Sequence, residues 1–323
     1  MTTPTPQPRA SVVVPTRGYA SSLRGCLESL DRQDADFDYE VVLVDSVSDP
    51  RVAAEAAKHP RVRLVRTQGG LLPGPGRNLG VQEARGEILV FLDADCVAEP
   101  GYVRAAVGAL GEPDGPTRLV GGPVLDARPW NLVCAADNFS QFADFPPGRP
   151  EEPAEYFPGC NMAVRRQDFL AVGGFSALTM PAGEDTLLCF AVAQRWPGGL
   201  RFCPGMRMRH LGRSTLPAYL KHQAFFGHCR GTLGIKVSPT QRRLGRLWVM
   251  TLPIAAKRFA YMIGRTVRYH PRGLPRLLLL SPLLLPGYLA WSVGFRKACR
   301  SAPDTAHPPQ SPSPVPRSTG GPS

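Results

Sequence analysis

Apolar and polar positions alternate in blocks along the first hundred residues. SVVVPT (11–16) is a short β-branched run stopped at a proline and predicts a buried strand. Leu23, Cys26, Leu27 and Leu30 then recur at helical spacing. The unit repeats with strand YEVVLVDS (39–46) and helix VAAEAAKH (52–59). After it come strand VRLVRT (62–67), the Gly/Pro loop GGLLPGPG (69–76), helix RNLGVQEAR (77–85) and the strongest strand, EILVFLDADC (87–96). This alternation predicts an α/β domain built on a doubly wound, mostly parallel sheet. The pattern predicts a helix over 102–110 and a strand near 119–125, then turns irregular over 126–158. YFPGCNMAVRRQDFLAVGGF (156–175) reads as strand, short helix and turn, and GEDTLLCFAVAQRW (183–196) as a loop with a carboxylate pair opening a helix.

Charge divides the chain. Residues 1–200 hold 18 Lys/Arg against 25 Asp/Glu, whereas residues 201–300 hold 19 Lys/Arg and no acid. Such a block seeks anions: lipid headgroups, nucleic acid or phosphorylated molecules. Its basic residues interleave with leucine-rich runs, which favours a membrane surface and leaves nucleic acid unexpected as a partner. LLLLSPLLLPGYLAWSVGF (277–295) is an uncharged run of 19 residues, just long enough to span a bilayer, with Pro282, Pro286 and Gly287 inside it. Basic residues flank it on both sides, so the preferred arrangement is a kinked or re-entrant interfacial segment on the cytoplasmic face of the membrane. A single span and a helical subdomain packed on the core are the alternatives. The eight cysteines lack CxxC spacing and read as reduced thiols. The expected organisation is a polar arm (1–9), a catalytic domain (10–215), a basic, apolar, membrane-associated helical region (216–300) and a disordered Pro/Ser-rich tail (301–323).

In open α/β sheets ligands bind beyond the carboxyl ends of the strands. Pro15-Thr16, Asp45-Ser46 and Asp93-Ala94-Asp95 all fall at such ends. The paired carboxylates of Asp93 and Asp95 suit a hard divalent cation, Mg²⁺ or Mn²⁺, whose other positions are filled by diphosphate oxygens. Asp45 suits a hydrogen bond from a base or ribose, or the capping of its own turn. Arg77-Asn78 opens a helix after GPG, where an arginine reaches a base or phosphate or simply lies at the surface. Glu184-Asp185 at a helix start suits a general base, or an acidic N-terminus complementing the helix dipole. His210, in RMRH, is a further metal ligand or a histidine on a basic face.

Together and in order, SVVVPTRG, EVVLVDSVSD, GPGRNLG, ILVFLDADC, FPGCNMAVRRQDFLAVGGF and GEDTLLCF resemble the family 2 glycosyltransferases over roughly residues 10–215. These are inverting enzymes with the nucleotide-diphospho-sugar transferase (GT-A type) fold. The resemblance implies a nucleoside pocket lined by Pro15 and Thr16, base or ribose contacts from Asp45 and Arg77, donor contact by Asp93, and a metal on Asp95. It implies Asn161, beside Gly159 and Cys160, next to the acceptor; Asp185 as the base, supported by Glu184; and His210 on the metal or diphosphate. Asn78 and Ala94 belong to the same donor-side motifs. The implied partners are a nucleotide-diphospho-sugar and a glycan or lipid-linked acceptor. The QxxRW signature of processive synthases is absent, which favours single addition; HQAFFGHCRG (222–231) stands in its place. Nucleotidyl transfer to a sugar phosphate, the rival chemistry on a similar fold, calls for a Gly-rich basic loop after the first strand, and VVVPTRGYASS lacks the glycine cluster.

Overall fold

The computed structural model describes residues 7–177, 182–234 and 237–301; residues 1–6 of the expected arm (1–9) and 302–323 of the expected tail (301–323) lie outside the described residues. The chain runs β1 (Ala10–Thr16), α1 (Ser21–Asp31), β2 (Tyr39–Asp45), α2 (Pro50–Ala56), β3 (Val62–Arg66), α3 (Pro73–Glu83), β4 (Ile88–Leu92), β5 (Cys96–Ala98) and α4 (Tyr102–Leu110). It continues with β6 (Leu119–Gly121), β7 (Val124–Asp126), α5 (Leu132–Phe142), β8 (Asn161–Arg165), α6 (Arg166–Ala171), α7 (Glu184–Arg195), β9 (Leu200–Phe202) and β10 (Met208–His210).

Seven strands form one sheet in the order β3-β2-β1-β4-β8-β6-β9, and β5-β10-β7 form a second. β3, β2, β1 and β4 pair in parallel, while β8 runs antiparallel to both β4 and β6. The valine-rich runs explain the parallel part. Val12, Val13 and Val14 register with Val41, Val42 and Leu43, and all six are buried, as strands covered on both faces require. Thr16 and Asp45 are register partners at the ends of β1 and β2, so the sheet delivers Thr16, Asp45 and, just past β4, Asp93 to one edge.

Three expectations are corrected. The strand over 87–96 is two: β4 stops at Leu92, the Asp93–Asp95 turn follows, and β5 joins the second sheet. The strand near 119–125 divides at Gly122-Pro123 into β6 and β7, again one in each sheet. The irregular segment contains α5, where Leu132, Ala135, Ala136, Phe139 and Phe142 do recur at helical spacing, but the helix is bracketed by proline-rich stretches and its buried face also holds Asp137 and Asn138. In addition, α3 starts at Pro73, inside the expected loop; prolines fit a first helical turn, where no N–H is needed.

The basic region folds as α8 (Leu216–Leu233), α9 (Pro239–Gly245), α10 (Thr251–Tyr269) and α11 (Leu274–Ser301). Its apolar core, built on Tyr219, Met262, Leu277, Leu280, Leu284 and Tyr288, takes in Ala135 and Ala136 of α5. The helices are therefore packed on the α/β unit. α11 runs as one helix through Pro282 and Pro286. By length and composition it is apolar enough to cross a membrane, yet 44% of its most apolar window is buried inside the protein.

Candidate active site

The sheet switch at Asp93–Asp95 builds the site. The turn is closed by Cys96 N–H donating to the Asp93 carbonyl at 3.0 Å. β5 then pairs antiparallel with β10, with Cys96 opposite His210, so a histidine 115 positions downstream arrives beside Asp95. Leu211 N–H donates to the Asp95 carbonyl at 2.9 Å, and His210 Nε2 stands 3.7 Å from Asp95 Oδ2. His210 Nδ1 is 2.7 Å from Asn138 Oδ1. The Asn138 amide donates to Asp126 Oδ1 and to the His210 carbonyl, which fixes its oxygen as the acceptor. Nδ1 thus bears the proton, and in the neutral ring the Nε2 lone pair faces Asp95.

From the other side, α3 contributes Arg77, which is 2% exposed. Its guanidinium donates to Asp93 Oδ1 at 2.6 Å and to Glu184 Oε1 at 2.7 Å, joining the end of β4 to the start of α7. Gly159 lies against this guanidinium: a Cβ there would stand 2.9 Å from its central carbon. The close approach lets Gly159 N–H donate to Asp185 Oδ2 at 3.0 Å. Asp185 Oδ1 accepts from Thr186 N–H at 2.6 Å.

Asp93, Asp95, Glu184, Asp185, His210, Arg77, Gly159 and Cys160 line one cleft of about 810 Å³. The Asp93 and Asp95 side chains remain 34% and 36% exposed, open to that cleft. Burial, with the Asp185 charge beside it, pushes the Glu184 carboxyl above its usual range, Arg77 opposing. Burial and Asp95 likewise raise Asp93 against the pull of Arg77. Arg77 itself is held firmly protonated by Asp93 and Glu184 despite its burial. At this end of the cleft four carboxylates surround the one buried cation, Arg77, and leave a site that attracts positive charge. Among the described residues no three His, Cys, Asp or Glu side chains form a complete metal cage. Asp95 and His210 nonetheless bring a carboxylate oxygen and a ring nitrogen within 3.7 Å of each other at the cleft, a donor pair that suits a divalent ion completed by ligand oxygens.

Other expected site residues are engaged elsewhere. Arg77 holds two carboxylates rather than a base or ribose. The fully buried Asp45 accepts from the N–H groups of Gly18, Val47 and Asp49, so it braces its own loops. Asn78 exchanges hydrogen bonds with the backbone of Phe175. Asn161 is fully buried, donating to the carbonyls of Gly122, Pro123 and Met206, and clamps the junction of the two sheets instead of facing an acceptor. Pro15, Thr16 and Ala94 are partly exposed at the sheet edge. Asn138, which sets the histidine tautomer, was not expected: nothing in the local sequence of α5 links it to a residue 72 positions away.

The solved structure of the mannosyltransferase PcManGT from Pyrobaculum calidifontis, in complex with GDP-Man and Mn²⁺, superposes with a TM-score of 0.51 at 20% identity, covering 92% of this chain and 75% of that one. GalNAc-T7, solved with UDP, GalNAc and Mn²⁺, gives 0.50 at 16% identity over 70% of this chain and 51% of the other. The shared fold is the GT-A fold. Polypeptide N-acetylgalactosaminyltransferase 12 of Mus musculus is 33% identical over 133 residues, 38% of this chain and 22% of the relative, so the matched segment spans about a fifth of that enzyme. The family model for glycosyl transferase family 2 matches residues 11–169, and the chain belongs to that family.

Proposed function

We propose that the protein transfers one sugar from a nucleotide-diphospho-sugar to an acceptor hydroxyl, with inversion. The observation that supports this most is convergence. Asp93 and Asp95 after β4, Glu184 and Asp185 opening α7, and His210 ending β10 all face one cleft. Asp185 serves as the base. Its Oδ2 is oriented by Gly159 N–H and its carboxylate is half-exposed, so it is free to take the proton of an acceptor hydroxyl. The oxygen so freed forms a bond to the anomeric carbon from the face opposite the diphosphate. The bond from that carbon to the diphosphate oxygen breaks, its electron pair leaving with the diphosphate. Glu184 holds Arg77, and through it Asp93, in place for the donor. Asp95 and His210 are the residues that would hold Mn²⁺ or Mg²⁺; when bound, the ion offsets the charge on the departing diphosphate. Pro15, Thr16 and Ala94 flank the donor end.

We read residues 10–215 as the catalytic unit and residues 216–300 as a helical region docking at the cytoplasmic face of a membrane, beside a glycan or lipid-linked acceptor. The acid-free basic block and exposed apolar residues such as Trp248 and Leu252 support this.

A thermal-shift screen of UDP-, GDP- and dTDP-sugars with and without Mn²⁺ tests the central reading. One nucleotide class should stabilise the wild type only with the metal, and Asp95→Ala should abolish that stabilisation. Asp185→Asn should retain it and lose transfer. Stabilisation indifferent to the metal, or full turnover by Asp185→Asn, removes these assignments.

A further inference from the structure

Beyond the carboxylates, the same cleft continues beneath the C-terminal helices. Its walls there include Phe225, Phe226 and Arg230 of α8, Arg258 of α10 and Trp291 of α11, with Tyr156 opposite. Among the described residues neither Arg230 nor Arg258 has a carboxylate in ion-pair distance or donates a side-chain hydrogen bond, whereas Arg77 at the donor end is paired with Asp93 and Glu184. Arg258 lies over the Trp291 ring, 3.9 Å from its centroid, and 5.4 Å from that of Tyr288. Stacking occupies the face of the guanidinium and leaves its N–H edge available. Its Nε is shut off from solvent with no partner.

The acids of this region do not fill the gap. Asp144 is held by Arg265 at 3.1 Å and by the hydroxyls of Tyr156, at 2.9 Å, and Tyr261. Glu155 is exposed at the rim. Burial holds both arginines below the usual guanidinium value; at Arg258 the charge of Arg230 adds to this, against the opposing influence of Tyr288, Tyr156 and the more distant Asp144. Two like charges, desolvated and unpaired in one cavity, form an unfavourable arrangement unless a ligand supplies the anion.

We propose that this end of the cleft receives a phosphate group of the acceptor, held by the N–H edges of Arg230 and Arg258. The proposal rests on the transferase reading, since it is the shared cavity with Asp185 that makes the ligand an acceptor. Phe225, Phe226 and Leu233 wall the same cavity and suit an apolar chain attached to the phosphate. A lipid-borne phosphate and a soluble phosphorylated sugar offer the same headgroup chemistry.

The test titrates the full chain with inorganic phosphate and with decyl phosphate at constant ionic strength, reading the unfolding temperature. Both should stabilise the wild type. Arg230→Gln and Arg258→Gln should each raise the half-saturating concentration by about tenfold or more, Arg258→Lys by less, and Asp95→Asn should leave it unchanged. Decyl phosphate acting at concentrations about tenfold below inorganic phosphate points to a lipid-borne group; equal potency points to a soluble one. Titrations unmoved by both Gln substitutions, or abolished by Asp95→Asn, overturn the proposal, the latter because the phosphate then sits at the donor end. Phenylglyoxal labelling of the wild type, followed by mass spectrometry, needs no variant: decyl phosphate should shield Arg230 and Arg258, and unshielded labelling overturns the site. Nucleotide–Mn²⁺ stabilisation, measured on the same samples, should survive in the Gln variants. Its absence from the wild type removes the transferase reading while leaving the anion site to stand or fall on its own titration.

Discussion

At the scale of single residues, the least conspicuous side chain in the site is Asn138. It is not itself an expected ligand, yet through its contact with His210 it sets which ring nitrogen bears the proton. Outer partners of this kind typically govern metal affinity by about 10–100-fold. Asn138→Ala is therefore expected to weaken Mn²⁺-dependent nucleotide binding by about that factor, with the fold retained, as isothermal titration with Mn²⁺ held constant would read. Unchanged affinity would mean that the tautomer does not matter. A second buried group, Asp137, is fully enclosed on the same helix. It accepts from Arg213 N–H at 2.9 Å, and His222 Nδ1 lies 3.2 Å away. Burial alone raises such a carboxyl, but His222 and the Arg213 N–H outweigh it and hold the group below its usual value. A depressed carboxyl gives stability that is complete above its unfolded value, about 3.9, and fades as pH falls through the lower folded one. Asp137→Asn should consequently lower stability at pH 7 and flatten the decline of unfolding temperature below about pH 4. Legibility follows the same line. The acids at 93, 95, 184 and 185 announce themselves by spacing, whereas Arg77, Asp45 and Asn161 show only their residue type, and their engagement depends on partners far along the chain.

At the scale of elements, the four parallel strands were readable because unbroken valine-rich runs have one economical use, a sheet buried on both faces. The second sheet was not. β5, β7 and β10 are three residues each, too short for a period, and exist because the chain must leave the main sheet at Asp93 and at Gly122. The apolar run at 277–295 was visible, but its neighbour was not. α11 meets α8 backbone to backbone: a Cβ on Gly294 would lie 1.9 Å from the Ala224 carbonyl oxygen, and one on Gly227 1.9 Å from that of Trp291. No side-chain adjustment relieves a clash with backbone. Gly294→Val is expected to force the helices apart, with a loss of about 3 kcal/mol or more in urea unfolding and faster proteolysis between α10 and α11. Gly264, with nothing near its Cβ position, is the control: Gly264→Ala should not destabilise.

At the scale of the whole molecule, the split between an acidic first part and an acid-free basic block was plain in the composition, but which apolar surface stays outside depends on packing. α11 spends part of its apolar surface on α5, α8 and α10, which argues against that helix as a free span and turns attention to the segment before α10. Leu247, Trp248, Val249 and Leu252 are all exposed, Trp248 at 74%, and Arg243 and Arg246 precede them. Tryptophan flanked by arginine suits the headgroup layer, where the ring settles at the interface and the guanidinium meets lipid phosphate. Each basic residue near an anionic leaflet adds about 1 kcal/mol, screened within a Debye length of about 8 Å at physiological salt. Cosedimentation with vesicles of phosphatidylglycerol and phosphatidylcholine should thus exceed that with phosphatidylcholine alone and decline as salt rises. The double substitution Trp248→Ser, Leu252→Ser should weaken it by about tenfold at any salt, because the apolar contribution is not screened. Two lost slopes would carry different meanings. Binding insensitive to salt denies the basic block its role, and binding insensitive to the double substitution moves the contact away from the start of α10 to the exposed leucines of α11, Leu278 and Leu279.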